Sequence, residues 1–234
     1  MSVQAILFDL DGTLVDSADD LRSALNKLLS ELSLRSVGAS DIKSMIGDGA
    51  LKLVERGLAA AGGDPAQKDV WLPRFLEIYQ ENPATLTRCY PGVLETLGVL
   101  RRKEFRLGVV TNKPILATKK VLEALSLVEF FSVVVGGDSL QERKPHPAPL
   151  LEAARQLDVD VSRTLMVGDN IHDVEAAHAA GMCCVAVSYG YHHRRPSEFN
   201  ADHLIDCFGD LLPLVINRAS HPCNAASGRG SISP

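Results

Sequence analysis

The sequence lacks the features that mark membrane, secreted and zinc-binding proteins. No apolar run approaches the ~18 residues of a membrane-spanning helix, and no basic segment precedes the first apolar stretch as in a signal peptide. Its five cysteines include no CxxC pair, so the spacing typical of zinc sites is missing. We therefore expect no membrane partner and a cytoplasmic location.

An excess of positive charge is also missing. The 24 Lys and Arg against 29 Asp and Glu give a formal net charge of −5, which argues against nucleic acid as a partner because nucleic-acid-binding proteins concentrate positive charge. A small phosphorylated metabolite needs only a local cluster of hydrogen-bond donors and remains a suitable substrate. The 234 residues, 46% of them apolar, suffice for a full hydrophobic core. We expect a monomer or a homodimer.

Short apolar segments recur along the chain, and most are separated by helical patterns. The segments cover residues 3–8, 107–110, 132–135, 164–167 and 184–187, with a weaker one at 203–205. Continuous apolar runs of this length are typical of strands buried on both faces of a parallel sheet. Helical patterns occur at 94–102, 117–125, 148–157 and 174–180. This alternation predicts an α/β fold with a doubly wound, Rossmann-like parallel sheet.

About a hundred residues between the first and second strands contain no convincing strand and are dominated by helical patterns. Leu and Ala recur at helical spacing after Ser17, and Asp20 follows three residues on, as at a capped helix start. Further helices are predicted over 42–61 and 70–80. We predict a helical cap over residues 16–85, inserted in a core of residues 1–15 and 86–218. Residues 219–234, rich in Ser and Gly, are predicted to be disordered.

Polar side chains follow four strands of the predicted sheet. They are Asp9 and Asp11 after the first strand, Thr111 and Asn112 after the second, Lys144 after the third, and Asp169 and Asp173 after the fourth. A turn or a helix cap would explain any one of them. In a doubly wound sheet, however, ligands bind beyond the carboxyl ends of the strands. Their joint position therefore predicts one site.

The chemistry of this predicted site follows from its carboxylates. Asp9 and Asp11 are two residues apart, so an extended backbone directs both side chains the same way. Clustered carboxylates repel one another unless a hard cation lies among them, and Mg²⁺ accepts carboxylates together with phosphate oxygens. One carboxylate can then attack phosphorus while the other moves protons, and Thr111 and Lys144 can hold the transferring group. We predict phosphoryl transfer with Mg²⁺ as cofactor.

Four segments resemble the motifs of one known family. They are DLDGTLVDS at 9–17, VTNKP at 110–114, the lysine of KPHP at 144, and GDNIHD at 168–173. In order and spacing they are similar to the motifs of the haloacid dehalogenase-like phosphohydrolases, and the resemblance covers residues 3–215. It implies a phosphatase whose helical insert is a mobile cap.

The resemblance also implies roles for the residues. Asp9 would be the nucleophile, Asp11 the general acid/base, and Lys144 the partner of both Asp9 and the phosphate. Asp9, the main-chain carbonyl of Asp11 and Asp169 would ligate Mg²⁺, with support from Asp173. The residues expected to bind substrate are Thr111, Asn112 and Lys144 in the core and Gly47, Gly49 and Arg56 in the cap. One departure is Asn170, where the family more usually has Ser.

Longer stretches narrow the resemblance to one branch of the family. IGDGALKLVERGL at 46–58, VVGGDSLQERKPHPAPLL at 134–151 and SYGYHH at 188–193 are similar to bacterial members that hydrolyse 2-phosphoglycolate. Gly47 and Gly49 would let main chain approach a small ligand. Lys43, Lys52 or Arg56 could offer a cation, although exposed basic residues on a helix are more often only solvated. The branch therefore implies 2-phosphoglycolate as the substrate.

Other functions remain open from the sequence. A phosphatase for a sugar phosphate, such as a muramic acid 6-phosphate, or a phosphosugar mutase would use the same core, whereas a dehalogenase would not need an acid at Asp11. A phospho-aspartate signalling switch also gathers acids on a doubly wound sheet, but needs only about half this length. A transition metal held by His172, His192 or His193 is disfavoured because the carboxylates already suit Mg²⁺.

Overall fold

The computed structural model describes residues 2–192 and 194–216. In chain order the strands are β1 (Ala5–Phe8), β2 (Val15–Asp16), β3 (Arg88–Cys89), β4 (Arg106–Val110), β5 (Val133–Val135), β6 (Thr164–Gly168), β7 (Cys183–Val187) and β8 (His203–Ile205). The helices are α1 (Ala18–Glu31), α2 (Ala39–Lys43), α3 (Ala50–Ala61), α4 (Lys68–Glu81), α5 (Val93–Arg102), α6 (Ile115–Ala124), α7 (Ala148–Leu157), α8 (Ile171–Ala179) and α9 (Leu211–Ile216). Met1, His193 and the predicted disordered tail at 219–234 lie outside the described residues.

Six strands form one parallel sheet in the order β5-β4-β1-β6-β7-β8. Its central strand β1 is buried on both faces: Ile6 and Phe8 pack into one hydrophobic cluster, while Ala5 and Leu7 pack into another. Because helices cover both faces of the sheet, the strand sequences do not alternate between polar and apolar residues and are continuous apolar runs. The predicted α/β fold with a parallel sheet is confirmed.

A short antiparallel ribbon, β2 with β3, was not predicted. Val15 pairs with Cys89 and Asp16 with Arg88. Each strand has only two residues, which is too short for a period-two pattern to be visible in the sequence. The ribbon joins the two chain segments that lead into and out of the helices α1–α4.

Helices α1–α4, which we call the helical insert, share a hydrophobic cluster. Leu25, Leu28, Val54 and Phe75 are among its buried members. The prediction of one helix over 42–61 is wrong, because α2 ends at Lys43 and α3 begins at Ala50. Gly47 and Gly49 interrupt the helix with φ angles of 113° and 85°, a conformation that only glycine adopts readily. The interruption leaves a loop at 44–49.

Along the part of the chain that the structure describes, no helix combines the length and the apolar character needed to cross a membrane.

Candidate active site

Three carboxylates meet at the carboxyl edge of the sheet. Asp9 follows β1, Asp169 follows β6 and Asp173 lies in the first turn of α8. One oxygen from each lies within 4.8 Å of the others, and all three residues are buried. A capping box holds the start of α8, since Asn170 accepts a hydrogen bond from the His172 amide and Asp173 accepts one from the Asn170 amide. The local cap thus fixes the position of Asp173.

Lys144 is the positive charge next to this acidic cluster. Its Nζ atom lies 3.0 Å from Asp9 Oδ1 and 2.6 Å from Asp173 Oδ1, and it donates to the carbonyl of Val110 at 2.7 Å. Burial alone would lower the pKa of Lys144, but the carboxylates of Asp173 and Asp9 raise it above its usual value. The ammonium therefore stays charged.

The carboxylates carry more negative charge than Lys144 can balance. Burial raises the pKa of Asp9 to about 6, with Lys144 opposing the rise and Asp173 adding to it. Burial, together with Asp9 and Asp173, also raises the pKa of Asp169 well above its usual value. These shifts express the cost of holding like charges together away from water. A bound cation would remove that cost.

The cluster fits Mg²⁺ by its donor chemistry. All three side chains offer hard carboxylate oxygens, the ligands that Mg²⁺ prefers. Asp9 Oδ1 is buried and has no hydrogen-bond partner among the protein atoms, although Lys144 Nζ lies 3.0 Å away. No histidine belongs to this cluster within residues 2–192 and 194–216, and His172 instead contacts Asp48. The site therefore suits a hard divalent cation better than a transition metal.

Asp11 lies beside the cluster in a hydrogen-bonded setting of its own. Its Oδ2 and Oδ1 atoms lie 2.8 and 3.0 Å from Lys113 Nζ, and Ser17 Oγ donates to Oδ1 at 2.6 Å. The expected helix start at Ser17 is confirmed, because α1 begins at the next residue, but Ser17 makes no side-chain cap bond to it. Asp20 is also used elsewhere, because it accepts hydrogen bonds from the amides of Leu86 and Thr87.

Lys113 is a site residue to which the sequence analysis gave no role. It directly follows Thr111 and Asn112 in the VTNKP motif, and this position was the only signal in the sequence. The residue is buried, and its Nζ atom lies 4.6 Å from the centre of the Tyr79 ring on α4. Burial alone would lower the pKa of Lys113, but Asp11 and Tyr79 raise it above its usual value. Lys113 thus brings a buried positive charge to Asp11.

Thr111 and Asn112 lie where the sequence placed them, at the end of β4. The Thr111 hydroxyl accepts a hydrogen bond from the Lys113 amide at 3.2 Å. Asn112 donates through Nδ2 to the carbonyl of Lys144 at 3.0 Å and to that of Gly47 at 3.2 Å. The second bond connects the core to the loop of the helical insert.

A cavity of about 40 Å³ lies between the sheet edge and the helical insert. The core contributes Asp9, Asp11, Thr111, Asn112, Lys113, Pro114 and Ala117 to its walls; the insert contributes Leu21, Ile46, Gly47, Gly49, Ala50, Leu53, Phe75, Leu76 and Tyr79. Within the described part of the chain, Lys113 is the only basic side chain that lines it. Gly47 and Gly49, which were expected to contact substrate, are among the residues that line the cavity.

Arg56, which was predicted to contact substrate, is not among the residues that line the cavity. Its guanidinium pairs with the carboxylate of Asp48 and donates to the carbonyl of Met45 at 3.0 Å. Asp48 also contacts His172 Nε2 across the boundary between insert and core, and this contact raises the pKa of His172. Arg56 thus supports the loop at 44–49.

Tyr191 joins the acidic cluster of the core to the start of the helical insert. Its amide donates to Asp169 at 2.6 Å, while its hydroxyl accepts hydrogen bonds from the amides of Ser17 at 2.7 Å and Ala18 at 3.0 Å. The hydroxyl also contacts Asp16. SYGYHH contained Tyr191, but nothing in that segment indicated a partner some 174 residues away.

Comparisons with known proteins agree with this geometry. The family model for the haloacid dehalogenase-like hydrolases matches residues 6–187. A phosphoglycolate phosphatase of Rhodospirillum rubrum is 42% identical over 89% of this chain and 89% of its own length. One from Pseudomonas syringae pv. tomato is 41% identical over 89% of this chain and 78% of its length. The crystal structure of a predicted phosphoglycolate phosphatase from Haemophilus somnus superposes with a TM-score of 0.86 and 34% identity, covering 92% of this chain and 98% of its own.

These matches decide between the classes of function that the sequence left open. They confirm the predicted family and the prediction of an enzyme, and they set aside the signalling switch. The matched region includes every motif that carries the acidic cluster, Lys144 and Lys113. The chain belongs to the haloacid dehalogenase-like hydrolase family and is a phosphatase.

Proposed function

We propose that this phosphatase hydrolyses 2-phosphoglycolate to glycolate and phosphate, with Mg²⁺ as cofactor and an aspartyl-phosphate on Asp9 as intermediate. The observation that carries the proposal is the position of Asp9. Its carboxylate lines a small cavity, 3.0 Å from Lys144 and beside the acidic cluster. The relatives reported above, named phosphoglycolate phosphatases, support the choice of substrate.

The acidic cluster would hold the cofactor, and residues 16–85 would act as the cap. Asp9, Asp169 and the main-chain carbonyl of Asp11 are the ligands we propose, with Asp173 supporting them through Lys144. When bound, Mg²⁺ would neutralise the charge of the phosphoryl oxygens and align them with Asp9. Lys144 adds a second positive charge on the same side of the phosphoryl group.

In the first chemical step, a carboxylate oxygen of Asp9 attacks phosphorus. The bond between phosphorus and the leaving oxygen breaks, and Asp11 gives its proton to that oxygen. The leaving oxygen therefore becomes the hydroxyl group of glycolate. In the second step Asp11 takes a proton from a water molecule, which attacks the phosphorus of the acyl-phosphate. The bond between phosphorus and Asp9 then breaks, releasing phosphate and restoring both carboxyl groups.

The remaining residues position the phosphoryl group and exclude bulk water. Thr111 and Asn112 follow β4 directly. Because the Thr111 amide donates to the carbonyl of Val135, these residues would offer the Thr111 hydroxyl and the Asn112 amide to the phosphoryl oxygens. The loop at 44–49 and the apolar side chains Leu53 and Phe75 close the opposite wall. The small size of the cavity and its apolar wall suit the short glycolate group better than a hexose.

A substrate panel tests this proposal. With Mg²⁺ in excess, wild-type protein should show a higher kcat/KM for 2-phosphoglycolate than for glucose 6-phosphate, muramic acid 6-phosphate or a nucleoside monophosphate. Asp9→Asn should lower turnover by more than about 10³-fold, because an amide is a poor nucleophile. Asp11→Asn should lower it by about 10²–10⁴-fold through lost proton transfer. Asp69→Asn, an exposed change on α4, serves as the matched control.

Three results would contradict the proposal in different ways. A sugar phosphate that exceeds 2-phosphoglycolate tenfold in kcat/KM would refute the substrate. Full activity in excess chelator would refute the cofactor, whereas we expect Mg²⁺ to restore the activity that chelation removes. Phosphate found on a histidine of the quenched enzyme, in place of Asp9, would refute the intermediate.

A further inference from the structure

Lys113 is a buried charge that the mechanism above does not use. It follows β4 and lines the cavity at the point where the core meets α4 of the helical insert. Its ammonium contacts Asp11 at 2.8 and 3.0 Å and the face of Tyr79 at 4.6 Å. Burying an ammonium is costly, so its presence on a ligand-facing wall calls for a function.

The contact with Asp11 fixes Lys113 on the leaving-group side of the site. In the proposed mechanism Asp11 must contact the leaving oxygen to give it a proton, whereas Asp9 and Lys144 contact the phosphoryl group. A side chain in direct contact with Asp11 therefore lies next to the atoms that are bonded to the leaving oxygen. In 2-phosphoglycolate a single CH₂ group separates that oxygen from the carboxylate. The carboxylate would then come within reach of Lys113.

The other cavity walls give a carboxylate no comparable partner. Leu53, Phe75 and Leu76 are apolar, and Arg56 does not line the cavity. Lys144 is already in contact with Asp9 and Asp173. An ammonium has three hydrogen-bond donors, so Lys113 can donate to a substrate oxygen in addition to its two bonds to Asp11.

We propose that Lys113 binds the carboxylate of the leaving group and thereby selects phosphomonoesters that carry a carboxylate next to the ester carbon. This proposal rests on the proposed function and names the residue that gives it specificity. Lys113 is then a binding residue for the substrate, in addition to its contact with the general acid.

A pair of substrates isolates the carboxylate. We would measure kcat/KM for 2-phosphoglycolate and for 2-hydroxyethyl phosphate, in which an uncharged CH₂OH group replaces the carboxylate. Wild-type protein should prefer 2-phosphoglycolate. Lys113→Met should lower the ratio of the two kcat/KM values by about 30-fold or more, the usual effect of removing one partner of a buried charge pair. Lys119→Met, an exposed change on α6, should leave the ratio unchanged.

The ratio separates substrate binding from a role in holding Asp11. If Lys113 only positions Asp11, Lys113→Met lowers kcat/KM for both substrates by the same factor, and the proposal is overturned. Circular dichroism checks that the variant folds, and Lys113→Gln, which keeps a polar end, replaces it if it does not.

The wild-type data separate this proposal from the proposed function. If 2-phosphoglycolate is the best substrate of the panel but 2-hydroxyethyl phosphate is hydrolysed equally well, the role of Lys113 is refuted and the proposed function stands. If a sugar phosphate is the best substrate, both are refuted.

Discussion

Replacing Tyr191 by Phe should destabilise the protein more than the loss of one hydroxyl usually does. The hydroxyl of Tyr191 accepts hydrogen bonds from the amides of Ser17 and Ala18 and contacts the carboxylate of Asp16. Ser17 gives α1 no side-chain cap, so the tyrosine caps this helix from a distant part of the chain. Tyr191 is buried, and water is therefore a poor replacement for the lost oxygen.

The magnitude follows from the bonds that would be lost. Losing the acceptor at a helix start costs about 0.5–2 kcal/mol, and losing a buried hydrogen bond to a carboxylate costs about 1.5–3 kcal/mol. The two sum to a loss of about 2–5 kcal/mol in the free energy of unfolding, out of a usual total of about 5–15 kcal/mol. The Ala18 amide keeps a weak contact with Asp16 at 3.3 Å, which moderates the loss.

Urea denaturation followed by circular dichroism measures this loss, and Tyr189→Phe provides the control. The hydroxyl of Tyr189 makes one hydrogen bond, to the carbonyl of Thr13 at 3.0 Å. Removing a neutral bond of that kind costs about 0.5–1.5 kcal/mol. If the two variants lose the same free energy of unfolding, Tyr191 does not cap α1 as described and the reasoning fails.

Two further substitutions test the positioning of the acids. Gly12 has a φ of 89°, and a Cβ atom there would overlap Asp169 Oδ2, so Gly12→Ala should reduce turnover by about 10²-fold, the size of effect expected from displacing a reacting group by about an ångström. Gly181→Ala, with a φ of 75° and open space around it, carries similar backbone strain and should stay active; equal losses would show that strain alone is responsible. Asp48→Asn removes a charge that contacts both His172 and Arg56, and should lower kcat/KM about fivefold by weakening the contact of the insert with the core, about 1 kcal/mol. Lys52→Met, which breaks an ion pair inside the insert, is its control, and an unchanged kcat/KM for Asp48→Asn would contradict this role.

The sequence predicted the acidic cluster because a general rule connects local sequence to position in the fold. Strands of a parallel sheet end at one edge, so residues that directly follow β1, β4 and β6 meet there even though they lie far apart in the sequence. Asp9, Thr111 and Asp169 could be placed together on this basis alone. The glycines of the insert were also placed correctly at the cavity, because a small ligand needs close approach of main chain.

The sequence could not predict which side chains pair across the two parts of the molecule. Ser17 and Asp20 have the spacing of a local cap, yet their partners are Asp11, Leu86 and Thr87. The sequence alone does not show which basic side chains are buried at the site: Lys113 lines the cavity and Arg56 does not. Such choices depend on burial and on competing acceptors, and these exist only once the chain has folded.

Several contacts between the helical insert and the core end on residues of the candidate site or beside them. Gly47 accepts its hydrogen bond from Asn112, Tyr79 covers Lys113, and Asp48 reaches His172, the neighbour of Asp173. Moving the insert away would therefore break contacts of Asn112 and Lys113, which we propose bind the substrate beside Asp11. Binding a substrate that fills the cavity would favour the closed arrangement and, with it, the alignment of Asp11. We infer that the enzyme selects against large substrates through the contacts of the insert with Asn112 and Lys113. A leaving group too large for the cavity would hold the insert away from these two residues.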